Sequence, residues 1–327
     1  MDCIYSIKSS DFKDYELLLV DNASSDNTVE EVSRIFPTVR IIKSDVNLGR
    51  TGGYNLGIRH SRGSLILFLD QDTEISPRML SELVAIMDSD EGIGGCGPKI
   101  YYFNDPKRLW SAGSYVAMTT GRTHFIGQDT IDCGKFDTVT DVQQHPTALM
   151  VRSQIARAIG GYDPEIFMVY CDADFCLKIL EAGHRIVLAP KAKVWHKVKQ
   201  FSLLTEKLGM KNPFMAFLIG RNRIIFIKKH ASMPNFGLFL TLFLPMYIVY
   251  YSVACIAELK LRMLQAFWKG TLDGLRFVVS NKKPLADVYT FLNKTNVTQR
   301  RNATFMSGKG RNNRANRYQS CSSRIKL

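Results

Sequence analysis

Two carboxylates, Asp70 and Asp72, close the apolar run in LILFLDQDTEISP (65–77), with Gln71 alone between them. Residues two apart in a strand project to the same side, so both acids are expected to converge on one space past the strand's end. Carboxylates held there repel each other unless a cation sits between them or between one of them and a ligand. Hard divalent ions such as Mg2+ or Mn2+ take oxygen ligands and share them with phosphates. The local residues fit equally well a pair of acids that only caps the following turn or helix.

Other polar clusters accompany this one. DNASSDNT (21–28) also follows an apolar run, and VNLGRTGGYNLG (46–57) lies between the two. Its Gly49, Gly52, Gly53 and Gly57 are expected to let backbone approach a ligand closely. The segment is neither G-x-G-x-x-G nor a P-loop, so no standard dinucleotide or triphosphate fingerprint applies. Farther on, CDADFCLKILEAG (171–183) sets Asp172 and Asp174 at the start of a helix that Gly183 ends. Those acids either act on a substrate or complement the helix dipole. A single histidine, His196, ends APKAKVWH (189–196).

The elements that must position these residues alternate. YELLLVD (15–21), VRIIKS (39–44), SLILFLD (64–70) and RIVLAP (185–190) read as buried strands of the parallel kind. SSDNTVEEVSRIF and SPRMLSELVAIMDS read as helices, the second with Ser76 as N-cap and Pro77 at its first position. Strand, helix, strand at this spacing predicts βαβ units and an α/β domain over 1–200. Open α/β sheets bind ligands at the carboxyl ends of their strands. Residues 103–145 read as an insertion of loops and short strands, a flap that shapes a substrate site.

The chain has 327 residues, 46% hydrophobic and 22% charged, an ordinary balance for a globular core, but its net charge is +13. That charge favours an anionic partner: membrane surface, nucleic acid or a phosphate-bearing substrate. The seven cysteines form no CxxC pair, which excludes a zinc knuckle and a dense disulfide framework and predicts free thiols. MDCIYSIKSSDFKDYE has neither the basic nor the apolar region of a secretory signal. Residues 201–292 are expected to form a helical, membrane-associated region. Its uncharged segment 235–257 is long enough for a bilayer core of about 30 Å, with Pro245 predicting a kink or a re-entrant hairpin. The remainder, 293–327, reads as a basic disordered tail with sequons at Asn293, Asn296 and Asn302. Nucleic acid is not the expected partner, since Phe305 and Tyr318 are nearly alone there as stacking aromatics.

Strand–DNAS, NLG-x-x-x-G-x-N and strand–DxD occur in that order. LWSAGS (109–114), IGGYDPEIFMVYCDADFCLKILEAGHRI (159–186), APKAKVWH (189–196), GRNRIIFIKKH (220–230) and KGTLDGLR (269–276) follow them. In this ordered set the sequence resembles the inverting family 2 glycosyltransferases of GT-A fold, in particular a rhamnosyltransferase-like branch, over roughly residues 1 to 280. The resemblance implies a GT-A, Rossmann-like α/β sheet. It also implies a hexosyltransferase-type activity that moves a sugar from a nucleotide-diphosphate donor to an acceptor hydroxyl in one displacement.

By the same resemblance Asp172 is the base, and Trp110 and Asp174 lie on the acceptor side. Asp72 and His196 hold Mg2+ or Mn2+, and Asp70 lies near the donor ribose and metal waters. Asp21, Asn22, Asn47, Gly49, Gly53 and Asn55 bind the donor. The implied partners are a nucleotide-diphosphate sugar, a glycan or polyprenyl-linked acceptor for cell-surface polysaccharide, and membrane lipids at the cytoplasmic face of the cell membrane. Two departures stand out. The family's Glu-Asp pair reads Cys171-Asp172 here, and the family's opening strand is missing before DYELLLVD. A sheet N-terminally truncated in this way is expected to expose apolar edges and unpaired backbone. The alternative function is therefore a degenerate, non-catalytic nucleotide-sugar-binding remnant or gene fragment.

Overall fold

A computed structural model describes residues 1–198 and 203–280, which fall into two compact units. The tail expected over 293–327 lies outside the described residues.

The first unit opens with helix α1 (Asp2–Lys8), then strand β1 (Leu18–Asn22), α2 (Thr28–Ile35) and β2 (Arg40–Ser44). Strands β1 and β2 pair in parallel as a two-stranded sheet. Helix α3 (Gly49–His60), β3 (Leu65–Leu69), β4 (Thr73–Ile75), α4 (Met79–Ser89) and β5 (Ile93–Tyr102) follow. The insertion contains β6 (Asp105–Ser111), β7 (Ser114–Ala117), β8 (Arg122–Phe125) and β9 (Thr140–Asp141), short strands and loops as its composition predicts. Strand β10 (Ala148–Arg152), α5 (Ser153–Ala158), α6 (Cys171–Glu181) and β11 (Arg185–His196) complete the unit.

The larger sheet runs β3-β10-β5-β11-β4, with β6 on β5 and β9 on β11. The parallel expectation holds within it only for β5 with β11. Strand β10, arriving from the insertion, lies antiparallel to both its neighbours and makes the sheet mixed.

Both faces of the sheet are covered, which is why its strands read as continuous apolar runs. Val187 and Met150 enter a core with Met79, Leu83 and Met87 of α4. Their chain neighbours Ile186, Leu188, Leu149 and Val151 enter another with Tyr54 and Ile58 of α3 and Phe175 of α6. This is the two-residue alternation of a strand put to use on two sides.

Two local expectations need correction. Helix α4 begins at Met79 after Arg78, because the Met79 amide bonds the Ser76 carbonyl at 3.0 Å in a turn. Ser76 and Pro77 therefore lie ahead of the helix. Strand β1 does not expose its apolar residues: Leu18–Asn22 are all buried, Leu19 in the core that Cys3, Ile4 and Ile7 of α1 complete. Among the described residues no strand joins its other edge. The insertion is pinned from below by Lys99 of β5, whose ammonium bonds Asp132 at 2.9 Å and Asp137, while Tyr101 donates to Asp132 at 2.5 Å.

The second unit is helical: α7 (Leu204–Lys207), α8 (Pro213–His230), α9 (Met233–Leu238), a π-helical turn Phe239–Phe243, α10 (Leu244–Ala257) and α11 (Leu261–Ser280). Helix α8 starts where its residues predict, with Pro213 in the first turn and Asn212 Oδ1 accepting from the Met215 amide at 2.9 Å. The apolar segment is one continuous helical stretch, Met233–Ala257, rather than a re-entrant hairpin. The π turn lies directly ahead of Pro245, the residue that lacks a backbone N–H, so the helix continues through the proline. Helix α11 lies so close on α8 that a Cβ at Gly270 would stand 2.0 Å from the Phe217 carbonyl. A buried ion pair, Arg221 to Asp273 at 2.8 Å, ties the same helices.

Candidate active site

The glycine-rich segment expected to let backbone approach a ligand folds as α3. Each helical glycine costs about 1 kcal/mol relative to alanine, so α3 depends on what it packs against. Its start is held by Asn22 at the end of β1. The Asn22 carboxamide accepts from the Leu48 amide (2.8 Å) and donates to the Gly49 carbonyl (2.9 Å) and to Asn47 Oδ1 (3.1 Å). Asn47 Oδ1 in turn accepts from the Gly49 amide at 2.9 Å.

Gly49 has φ +71°, and a Cβ there would stand 2.6 Å from Phe167. Both the positive φ and the contact with Phe167 require glycine here. Gly53 is buried a turn later. Asn55 grips the backbone of Tyr162, donating to its carbonyl and accepting from its amide, both at 2.8 Å. Asp21 is buried and accepts from the Ser24 amide at 3.2 Å. Asn22, Asn47 and Asn55 therefore direct polar atoms at the chain itself.

The same helix carries two residues that sequence reasoning passed over. Arg50 and Tyr54 are one turn apart and so share a face, a spacing visible in NLGRTGGYN. The Tyr54 ring is fixed between Phe68 and Tyr162, each 4.8 Å away by centroids. Its hydroxyl donates to Asp70 Oδ1 at 3.0 Å and accepts from Arg50 Nε at 3.1 Å. Arg50 Nη2 reaches Asp70 Oδ2 at 2.8 Å and Asp172 Oδ2 at 3.4 Å. Burial works against the guanidinium's charge, but Asp172 and Asp70 outweigh it and raise its pKa further. Burial pushes the Tyr54 phenol well up, so it stays neutral and donates.

Asp70 and Asp72 are not neighbours on one strand. Strand β3 ends at Leu69 and the chain turns at Gln71, sending the two carboxylates to different partners. Asp72 faces His196, with Oδ1 3.3 Å from Nε2. The register of β4 on β11 sets this up by pairing Thr73 with His196. Burial raises the Asp72 pKa, but the His196 hydrogen bond and charge, with smaller help from Arg50, hold it below the usual range. Trp110 packs edge-on against the His196 ring, centroids 4.9 Å apart, and against Phe125 at the same distance. Asp172 sits in the first turn of α6 with its side chain partly exposed, whereas Asp174 is fully buried. Ahead of them Phe167 and Tyr170 hold positive φ of 60° and 71°, a conformation that costs bulky residues about 1–3 kcal/mol.

Among the described residues no three His, Cys, Asp or Glu side chains cluster as a complete metal site. Asp72 and His196 nevertheless fit a hard divalent ion as partial ligands. They offer an oxygen and a nitrogen 3.3 Å apart on a carboxylate that is half exposed, and the remaining positions are left to phosphate oxygens and water.

Residues 2–154 match the family model for glycosyl transferase family 2. The chain is 24% identical over 275 residues to the dTDP-rhamnosyl transferase RfbF of Shigella flexneri, covering 80% of this chain and 86% of that one. It is 28% identical over 197 residues to the uncharacterized protein y4gI of Sinorhizobium fredii, covering 57% of this chain and only 21% of that longer one. Its fold is similar to that of GalNAc-T7, solved with UDP, GalNAc and Mn2+, at a TM-score of 0.50 and 14% identity over 59% of this chain and 40% of that one. Over residues 2–154 the chain therefore matches glycosyl transferase family 2, and its fold is of the GT-A kind.

Proposed function

We propose that the protein transfers a sugar from a nucleotide-diphosphate donor to an acceptor hydroxyl with inversion at the anomeric carbon. The observation that carries this reading is the Arg50 fork, which joins the candidate base Asp172 to Asp70 at 3.4 and 2.8 Å. Asp172 takes the proton of the acceptor hydroxyl as its oxygen bonds the anomeric carbon and the bond to the diphosphate breaks on the opposite face. Arg50 keeps Asp172 charged, and with it basic, between turnovers. Asp70, oriented by Tyr54 and Arg50, faces the donor ribose. Asp72 and His196 would hold Mg2+ or Mn2+. That ion would supply neutralisation of the charge developing on the diphosphate. Trp110, packed on His196, borders the acceptor side.

The GalNAc-T7 structure, which holds UDP and Mn2+, supports the cofactor. The name of RfbF supports rhamnose from a thymidine donor. We place the acceptor among lipid-linked or cell-surface glycans and the enzyme at the cytoplasmic face of a membrane, attached through 235–257. The test is transfer from a panel of nucleotide sugars by the purified protein, with Mn2+ and with a chelator. Metal-dependent transfer or donor hydrolysis is expected. Donor binding without turnover of any sugar would favour the non-catalytic reading instead.

A further inference from the structure

Helices α9 and α10 turn an apolar face outward. Leu238, Leu242, Met246, Val249, Val253 and Ile256 recur every three or four residues and are all exposed, while Tyr251, Ala254 and Cys255 on the other side are buried. Helix α11 continues the face. Its Leu261, Trp268, Leu272 and Val279 are exposed and fall on one stripe of a 3.6-residue helix. Beside that stripe runs a second, of the exposed cations Arg262, Lys269 and Arg276 at intervals of seven. The helix's one acid, Asp273, is turned inward to Arg221. The two helices adjoin where the Trp268 indole donates to Ser252 Oγ at 3.1 Å and Phe267 stacks on Tyr251, centroids 5.1 Å apart.

We propose that this face docks on an anionic lipid surface, with α9–α10 and α11 lying in the plane of the leaflet instead of crossing it. The inference deepens the membrane attachment proposed above and rests on no residue of the donor site. By length the 25-residue apolar stretch is able to span a hydrocarbon core of about 30 Å. The charges decide otherwise. Seven helical residues rise about 10 Å, so the cations of α11 leave no interval long enough to traverse hydrocarbon.

Arg223 adds a charge near the middle of α10, its guanidinium 4.0 Å over the Tyr247 ring and 3.0 Å from the Tyr251 hydroxyl. A spanning arrangement would sink Lys269 and Arg223 in the membrane interior. An in-plane arrangement sets Arg262, Lys269 and Arg276 at the level of headgroup phosphates and Trp268 at the interface, with the apolar stripes below. A second copy of the chain is a poorer occupant, because two like faces would bring their basic stripes together.

Flotation of the purified full chain with vesicles tests this, using phosphatidylcholine alone and an equal mixture of phosphatidylcholine and phosphatidylglycerol. Binding is expected to be at least about tenfold tighter on the anionic vesicles and weakened by salt. Neutralising α11 with Arg262→Ala, Lys269→Ala and Arg276→Ala together is expected to lower it about a hundredfold, from about fivefold per cation. Met246→Ser with Val249→Ser and Val253→Ser is expected to abolish binding while circular dichroism stays unchanged. Release of the bound protein by alkaline carbonate is also expected.

Equal affinity for both vesicles that survives loss of the three cations would overturn the proposal. So would retention through carbonate, the behaviour of a spanning segment. Self-association through the serine-substituted face with no vesicle binding would assign that face to a second copy. Nucleotide binding is read with soluble ligands, so failure here is distinguishable from failure of the donor-site reading.

Discussion

Arg50 bridges Asp70 and Asp172, with Nη2 2.8 Å from the first carboxylate and 3.4 Å from the second. A cation this close favours the charged form of a base. Replacing it with Arg50→Met is expected to move the acidic limb of the transfer pH–rate profile to higher pH. Asp172→Asn is expected to lower transfer about a thousandfold at every pH, within the range typical of a lost general base. Initial rates across pH check both.

The pair Asp72 and His196, 3.3 Å apart, predicts a different signature. Asp72→Asn and His196→Gln should each raise the Mn2+ concentration for half-maximal transfer at least about tenfold, by the scale of lost metal-site interactions. Asp70→Asn should change that concentration less, because its oxygens face Arg50 and Tyr54. Metal titrations of the transfer rate distinguish the three.

Asn55 makes a prediction about stability. Its two 2.8 Å bonds satisfy both backbone groups of Tyr162, so Asn55→Ala leaves a buried amide and a buried carbonyl without a partner. A loss of about 3 kcal/mol is expected in urea unfolding, at about 1–3 kcal/mol per orphaned group. Donor affinity of the folded variant should stay within about twofold.

His145 makes another. Burial lowers its pKa from 6.5 to about 4, and its ring lies so close on Gly97 that a Cβ there would stand 2.2 Å away. Between those two pH values the unfolded chain binds the proton and the folded chain does not. Stability therefore rises with pH across this window, and about 3 kcal/mol is lost once the pH falls below about 4. His145→Leu should flatten the slope by that amount, measured as the difference between the two proteins' unfolding free energies from pH 7 to pH 4.

Much of the frame was legible because buried strands leave continuous apolar runs, as at Leu65–Leu69 and Ile186–Leu188. The turn at Gln71 was not, since strand alternation assumes a strand that in fact ends at Leu69. The approach of His196 to Asp72 depends on the register of β4 against β11, across more than a hundred residues of chain, which no local pattern encodes. Arg50 and Tyr54 stood inside a motif read for its glycines. The helix that those glycines disguise brings the two side chains to one face, where Asp70 and Asp172, from other parts of the chain, meet them.

Calorimetric titration of the full chain with a nucleoside diphosphate, UDP and dTDP in turn, with and without Mn2+, tests the donor site most directly. At least one nucleotide is expected to bind in a Mn2+-dependent way, with affinity lost about tenfold or more in Asp72→Asn and kept in Asp172→Asn. No heat with either nucleotide, or binding indifferent to both Mn2+ and Asp72, would contradict the account.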